Sequence, residues 1–415
     1  MLADIRPLRE SPALRRYWAG SALSSIGNQM AAFALSLQVY QLTHSSAAVG
    51  ALALTSALPI FVIGLVGGSL TDAADRRRLV LVTSSCLTAV SALVALQAFL
   101  DLRQLWLLYL LSTARALFGA IDIPARRTFL PRLLPADQLP AANALFMLVF
   151  TVSFTIGPPL AGLLTAAGGL KFCYFVDALS FAATLYGVAR LPSMPPQGRA
   201  ARPGFKAVAE GLRFIRHHPI LTGAFLADMN ATVLGMPAAV LPAFNAEHFG
   251  GAAQSLGLLM AAPAIGGLLG TTLSGPVSRV TRQGRTMLIT VSIWGAAIAV
   301  FGLSSTLWLC VLLLAVAGLA DSASVILRTS MVLTVTPDRL RGRITAADYV
   351  VGGGAPQVGN LEAGVVASLT SPGFSAFSGG IATVIGAAVI RLAVPAFAKY
   401  DSSTEPDKTW GSRLS

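Results

Sequence analysis

From Tyr17 to Thr71 the chain runs 55 residues without one Asp, Glu, Lys or Arg. A membrane helix needs roughly 20 mostly apolar residues to cross about 30 Å of hydrocarbon. Inside that layer every backbone N–H and C=O must be satisfied within the segment. The stretch therefore holds two helical crossings, separated by the polar turn Thr43-His44-Ser45-Ser46. Further uncharged runs cover Leu79–Leu100, Gln138–Leu170, Phe249–Ser278, Thr286–Ala320 and Ala363–Ile390. Allowing one or two charges per span gives twelve: 17–42, 47–71, 79–100, 104–126, 139–166, 169–190, 219–243, 253–278, 286–305, 306–329, 343–370 and 373–397. The expectation is an all-α polytopic membrane protein. A charged content of 12% and a mean hydropathy of +0.70 agree, since soluble domains carry about twice that charge.

Against this apolar background the net charge is +12, from 30 Lys+Arg and 18 Asp+Glu. Such a basic balance invites a nucleic-acid partner, so the location of the cations decides. Taking alternate loops from the N-terminus, one set carries 27 of the 30 and the other only Arg103 and Lys171. The last one, Arg115, lies inside a span. Cytoplasmic loops collect Lys and Arg, so both termini are expected in the cytoplasm, and no nucleic-acid partner is expected. With 26 Arg against 4 Lys and abundant Ala, the source reads as a GC-rich bacterium and the location as its cytoplasmic membrane. The first apolar segment is too long for a cleavable leader, contains Asn28 and Gln29, and leads straight into a second span. Cys86, Cys173 and Cys310 show no paired spacing, and no metal-ligand spacing or Walker motif occurs. No cofactor or metal is expected.

The longest loop on the basic side divides the spans six and six. The expected organisation is a six-helix bundle over 1–190, a linker over 191–218, a second bundle over 219–397 and a cytoplasmic tail over 398–415. In the linker, Phe205, Val208, Ala209, Leu212 and Ile215 recur at helical spacing, which predicts an amphipathic helix along the inner membrane face. The two halves also repeat. Arg127-Thr128 precedes Pro135-Ala136-Asp137, and Arg328-Thr329 precedes Pro337-Asp338, about 201 residues later. Gly68-Ser69-Leu70-Thr71-Asp72 with Arg76-Arg77-Arg78 is answered by Gly275-Pro276-Val277-Ser278 with Arg279, Arg282 and Arg285, without the Asp. Repeated halves build a central site at their interface.

These residues resemble the major facilitator superfamily. Gly68-x-Leu70-x-Asp72-x-x-x-Arg76-Arg77 is similar to its loop 2–3 signature, with Asp75 where the pattern prefers Gly. Arg115-x-x-x-Gly119 is similar to its second motif, and Gly157-Pro158-Pro159-Leu160-Ala161-Gly162 resembles the motif of antiporters. Pro124 through Ala144 and Thr336 through Arg343 resemble the enterobactin-exporter branch, which includes macrolide and multidrug exporters. The resemblance implies a fold of twelve helices in two pseudo-symmetric six-helix halves. It also implies a gating latch in which Gly68, Asp72 and Arg76 work with Asp122. The alternative reading of that loop is a solvated basic turn that sets orientation alone. Gly157, Pro158, Pro159 and Gly162 need small or bent backbone for close helix approach, whether for export or for packing alone.

Ionisable residues inside spans mark pathways or pairs. They are Arg115, Asp177, Asp228, Asp321 and Glu362. In the resembled superfamily the fourth, seventh and tenth helices line the cavity, which implies that Arg115, Asp228 and Asp321 converge, with Asn28, Gln29 and Asn230 as polar neighbours. Asp177 and Glu362 are placed nearer the outer mouth. Asp228 or Asp321 beside Arg115 suits a carboxylate that gains and loses a proton; a structural ion pair is the other reading. Arg115 could instead pair with Asp122, seven residues on. The expected function is proton-coupled efflux of a small amphipathic molecule by a monomer in the bilayer. A catecholate siderophore or a lipophilic cationic drug are the two candidates, and uptake is the opposite direction of the same class. A membrane-embedded enzyme would need a His, Asp or Glu cluster at the interface, and none is present.

Overall fold

The computed structural model describes residues 4–73, 75–194, 205–272 and 274–403. Within it, the side chains of 60–73, 205–208, 278, 338–339, 345–346 and 349 lie outside the description. The described residues form helices and no strand. In chain order the first are α1 (Arg6–Glu10), α2 (Pro12–Thr43), α3 (Ser46–Ala73), α4 (Arg76–Phe99), α5 (Leu105–Arg127), α6 (Leu130–Leu133), α7 (Leu139–Gly168) and α8 (Leu170–Ala189). There follow α9 (Phe205–His217), α10 (Pro219–Leu234), α11 (Leu241–Phe249), α12 (Ala253–Thr272), α13 (Ser274–Ser278), α14 (Gln283–Leu303), α15 (Leu307–Val335), α16 (Asp338–Leu369), α17 (Pro372–Ala393) and α18 (Pro395–Ala398).

Local chemistry sets the ends. Ser11 accepts from Leu14 N–H at 3.2 Å ahead of Pro12, and Ser371 accepts from Phe374 N–H at 3.2 Å ahead of Pro372. A capping hydroxyl with proline in the first turn satisfies orphan donors. His44 stops α2 in the left-handed region at φ 48°. Eight described helices are long and apolar enough to cross a membrane. The 32-residue α2 and α16 are long enough but diluted by Ser, Gly, Asn and Gln. Large apolar side chains stay exposed on both units, including Leu179 at 63%, Leu303 at 70% and Leu392 at 78%. Such a surface is stable against hydrocarbon rather than water. Trp106 and Trp308, 202 residues apart, sit exposed in the first turns of α5 and α15, as an interfacial aromatic belt requires.

The chain divides into two compact units. Unit 1 takes Met1–His44, Leu54–Arg202 and Asn245–Ala261; unit 2 takes Ser45–Ala53, Pro203–Phe244 and Ala262–Ser415. In unit 1 one end is gathered by a core of Leu14, Tyr17, Val80, Phe129, Leu134 and Leu191. That end carries Arg15, Arg16, Arg76–Arg78, Arg126, Arg127 and Arg190. At the far end Phe99 meets Phe172 and Phe175, and Lys171 lies over the Phe99 ring. In unit 2, Ile215, Leu221, Phe225, Ile344 and Ala347 form the matching basic end, where Ser402 N–H also donates to Thr281 at 2.8 Å. The alternation of basic loops is thus an end-to-end polarity of each unit.

Three sequence expectations change or gain detail. Span 219–243 is broken: α10 stops at Leu234, and Gly235 and Pro237 prevent its continuation into α11. The freed backbone groups find side chains, Trp294 donating to Gly235 O at 3.1 Å and Asn360 accepting from Ala239 N–H at 3.1 Å. The amphipathic helix α9 packs on the start of α16, a tertiary contact that the sequence reading did not include. Its Ile215 joins the unit 2 core, Gly211 sits against the Arg343 carbonyl, and Glu210 pairs with Arg343 at 2.5 Å. Arg328, expected among loop cations, is 7% exposed inside α15. Pro124 and Pro131 end α5 near Arg127, whereas α15 meets no proline before Pro337 and runs past Arg328 to Val335.

Glycine permits the closest helix crossings. A Cβ on Gly318 would land on the Pro263 carbonyl oxygen, and one on Gly266 on that of Ala315. This reciprocal backbone contact fastens α12 to α15. Gly318→Val is expected to destabilise the protein by about 1–3 kcal/mol, the usual cost of overpacking. Thermal unfolding of the purified protein in detergent measures it; an unchanged midpoint would refute the contact.

Candidate functional site

Charge is costly in hydrocarbon unless paired and hydrogen-bonded. Three buried clusters obey this rule among the described residues. In unit 1, Arg115 on α5 pairs with Asp177 on α8, Nη1 to Oδ2 at 2.9 Å and Nη2 to Oδ1 at 3.1 Å. Its Nη2 also donates to Asn28 at 2.6 Å, and the guanidinium lies 5.6 Å from the Phe181 ring centre. The bidentate fork and the ring fix the arginine completely. Asp177, placed near the outer mouth by sequence, is therefore the partner of Arg115. Arg115 does not take Asp122.

The second cluster lies at the basic end of unit 1. Arg126 reaches Asp122 four residues back, while Thr83 and Ser84 of α4 donate to the same carboxylate at 2.6 and 3.3 Å. Arg126 also donates to Ser84 at 3.0 Å. In this structure the Asp122 carboxylate is engaged by Arg126 rather than by Arg76. An i,i+4 partner on the same helix needs no tertiary reach, so Arg126 wins. The Arg76 Nε is buried without a hydrogen bond, and its backbone N–H donates to Met194 O at 3.1 Å. Gly68 and Asp72 fall in α3, with side chains outside the described residues. Asp75, the departure from the signature, takes a local role. It caps α4 through Arg78 N–H at 3.0 Å and accepts from Ser193 at 2.6 Å and Met194 N–H at 3.0 Å. The Ser193 hydroxyl, then the Arg78 amide, hold its carboxyl below the ordinary range.

The third cluster is in unit 2. Arg328 on α15 pairs with Asp348 on α16 through Nη1 and faces Asp228 on α10 with Nε at 3.5 Å. Its guanidinium stacks 5.7 Å from the Phe225 ring centre. Asp321 lies two turns before Arg328 on the same helix. Arg328 and Asp348 are the site residues that sequence reasoning missed. The available signal was the spacing of seven from Asp321 to Arg328, which puts both on one helix face.

The remaining candidates pack. Gly157 leaves room for the Gln29 side chain, whose Cβ would be 2.5 Å from an added methyl. Gly162 receives the Ala253 carbonyl, and Pro158 backs onto Gly257, so the Gly157–Gly162 stretch of α7 seats the start of α12. Pro159 completes that seat, its Cα facing Gly257. Asn230, expected to line a cavity, donates to Thr383 O at 2.8 Å and holds α10 on α17. Glu362 is half-buried on α16. No grouping of three or more His, Cys, Asp or Glu suited to a metal occurs among the described residues.

Removing one partner of a buried ion pair strands the other, at about 3–5 kcal/mol. Asp177→Asn and Arg115→Gln are each expected to lower the unfolding midpoint strongly, and the double variant to cost less than the two combined. Thermal melts of all four proteins close this cycle; additive losses would show that the pair does not interact.

The arrangement matches known proteins over its whole length. The family model described as transmembrane secretion effector matches residues 3–414. The enterobactin exporter EntS of Shigella boydii serotype 18 is 29% identical over 380 residues, covering 90% of this chain and 91% of that protein. EntS of Escherichia coli O1:K1 matches with the same identity and coverage. Among solved structures, the nucleoside transporter NupG superposes with a TM-score of 0.73 at 15% identity, covering 94% of this chain and all of that one. A bacterial homologue of the iron transporter ferroportin gives 0.70 at 15% identity, covering 93% and 98%. Family and relatives are transporters rather than enzymes. The chain is an integral membrane protein, and it belongs to the transmembrane secretion effector family of the major facilitator superfamily.

Proposed function

We propose that this protein is a proton-coupled exporter of the bacterial cytoplasmic membrane, working by alternating access as a monomer. In this reading twelve crossings form two six-helix bundles, 1–190 and 219–397, with the linker 191–218, the tail 398–415 and both termini in the cytoplasm. The direction and the substrate class, a catecholate siderophore, follow from the relatives named enterobactin exporter.

Proton coupling rests on one observation, the charge balance around Arg328. The Arg328 guanidinium is in ion-pair range of both Asp228 and Asp348, and Asp321 lies two turns earlier on the same helix. Like carboxylates sharing one cation in a low-dielectric site favour proton uptake by one of them. The clusters of unit 1 are balanced one to one, Arg115 with Asp177 and Arg126 with Asp122, and need none. This reading moves the proton function away from Arg115 and onto Asp228 and Asp321. The same anionic excess favours a lipophilic cation as the second substrate reading, since Arg115 is already neutralised and offers no free charge to a catecholate.

Everted vesicles carrying a proton gradient test both. Adding enterobactin is expected to release protons from the wild-type lumen, and ethidium to do so if the cation reading is right. Asp228→Asn and Asp321→Asn are expected to cut that release on the order of a hundredfold, the scale of a positioned proton carrier. Silence of the wild type toward both compounds, or full release in both variants, would reject the coupling.

A further inference from the structure

The three residues of the Arg328 cluster differ in their access to water. The Asp228 side chain is 6% exposed and Arg328 is 9% exposed, while Asp348 is 37% exposed. Asp348 also lies close to the core at the basic end. It lies five residues past Arg343, the α9 partner, and next to Ala347 of the core that closes that end. Asp321, seven residues before Arg328, is deeper by about 10 Å along α15. The carboxylates thus differ in access: Asp348 is the most exposed, Asp228 is buried beside the same arginine, and Asp321 lies further along α15.

Arg328 is shared unequally among these carboxylates. Its Nη1 is hydrogen-bonded to Asp348. Its Nε faces Asp228 at 3.5 Å, is buried, and makes no hydrogen bond. A buried N–H left unmade is costly, so the guanidinium gains by closing on Asp228 whenever Asp348 stops competing. Protonation of Asp348 has that effect, because a neutral acid no longer holds the cation.

We propose that Asp348 is the residue through which Asp228 exchanges its proton with the side of the basic loops, Arg328 moving to whichever carboxylate is ionised. The proposal rests on the proton-coupled reading above. Water at the basic end protonates the Asp348 carboxylate, and Arg328 turns to ionised Asp228. The proton then passes from Asp348 to Asp228, and Arg328 returns to the Asp348 carboxylate. One proton has moved inward, no other bond has changed, and from the first protonation onward the two carboxylates carry one negative charge between them. The helix α9 fixes the start of this path. Gly211 against the Arg343 carbonyl, Glu210 on Arg343 and Ile215 beside Ala347 brace the turn of α16 that precedes Asp348.

The charged neighbours are accounted for on each packed helix. On α10 they are Asp228 and, at the N-cap, His218; on α15, Asp321 and Arg328. On α9 Glu210 is engaged by Arg343, with Arg213, Arg216 and His217 exposed, and α17 ends in exposed Arg391. Asp338, Arg339, Arg341, Arg343 and, further along, Glu362 lie on α16 itself. Asp228 and Asp348 are the two carboxylates in ion-pair range of Arg328 among the described residues.

The test needs no substrate. The full-length protein in detergent is followed by infrared spectroscopy after a pH jump, reading the C=O stretch of protonated carboxyl groups. Loss of the band in Asp228→Asn assigns it. Asp348→Asn is expected to keep the band but slow its response on the order of a hundredfold, with Asp348→Glu restoring the rate. A purely structural counter-ion would lower the melting point of Asp348→Asn and leave the rate unchanged, and that result overturns the proposal. A band lost in Asp321→Asn but kept in Asp228→Asn overturns it as well. A band untouched by either variant, in proteins that still melt cooperatively, removes the proton-coupled reading itself.

Discussion

The desolvation of charge in hydrocarbon governs this protein. A helix bundle in lipid gains little from burying leucine, because the surroundings are as apolar as its core. What distinguishes one arrangement of helices from another is where the small residues let backbones touch and where the few ions find partners. Gly318 against Pro263, Gly266 against Ala315 and Gly162 against Ala253 supply the first kind of contact. Arg115 with Asp177, Arg126 with Asp122 and Arg328 with its carboxylates supply the second.

The two kinds of constraint were unequally legible in the sequence. Helix positions follow from runs such as Thr286–Ala320, because backbone satisfaction leaves an apolar run no alternative to a helix. The basic polarity was legible for the same reason, since each loop cation is an exposed local feature. Partner identity was not. Arg115 selects Asp177 over Asp122 because α8 presents its carboxylate bidentately, a fact of the crossing between two helices that no spacing within one helix contains. Asp122 escaped Arg76 for the opposite reason, a closer partner one turn away. The break after Leu234 was written in Gly235 and Pro237 yet hidden by the apolar character of the residues around them.

The two units resolve their buried charges differently. The two buried ion pairs described in unit 1, Arg115 with Asp177 and Arg126 with Asp122, are each balanced one to one. Unit 2 leaves one arginine among several acids, an arrangement in which small movements shift the balance between protonated and ionised forms. A transporter that couples to protons needs one such place and gains nothing from two uncontrolled ones. The absence of an Asp in the second copy of the loop signature, at Gly275-Pro276-Val277-Ser278, fits the same division.

The origin of that imbalance can be traced to backbone grammar. Arg127-Thr128 and Arg328-Thr329 occupy corresponding places in the repeat. In the first copy Pro124 lies inside the last turn of α5 and Pro131 follows closely, so the helix ends and Arg127 emerges at the surface. In the second copy the next proline is Pro337, and α15 continues for two more turns beyond Arg328. A residue that would have been a loop cation becomes a buried one, and a buried guanidinium must be met by acids. Asp228 on α10 and Asp348 on α16 meet it from two sides, which places two carboxylates around one cation. A helix terminator present in one half of the repeat and absent at the corresponding place in the other thus decides whether the same arginine is a surface cation or the centre of a buried charge cluster.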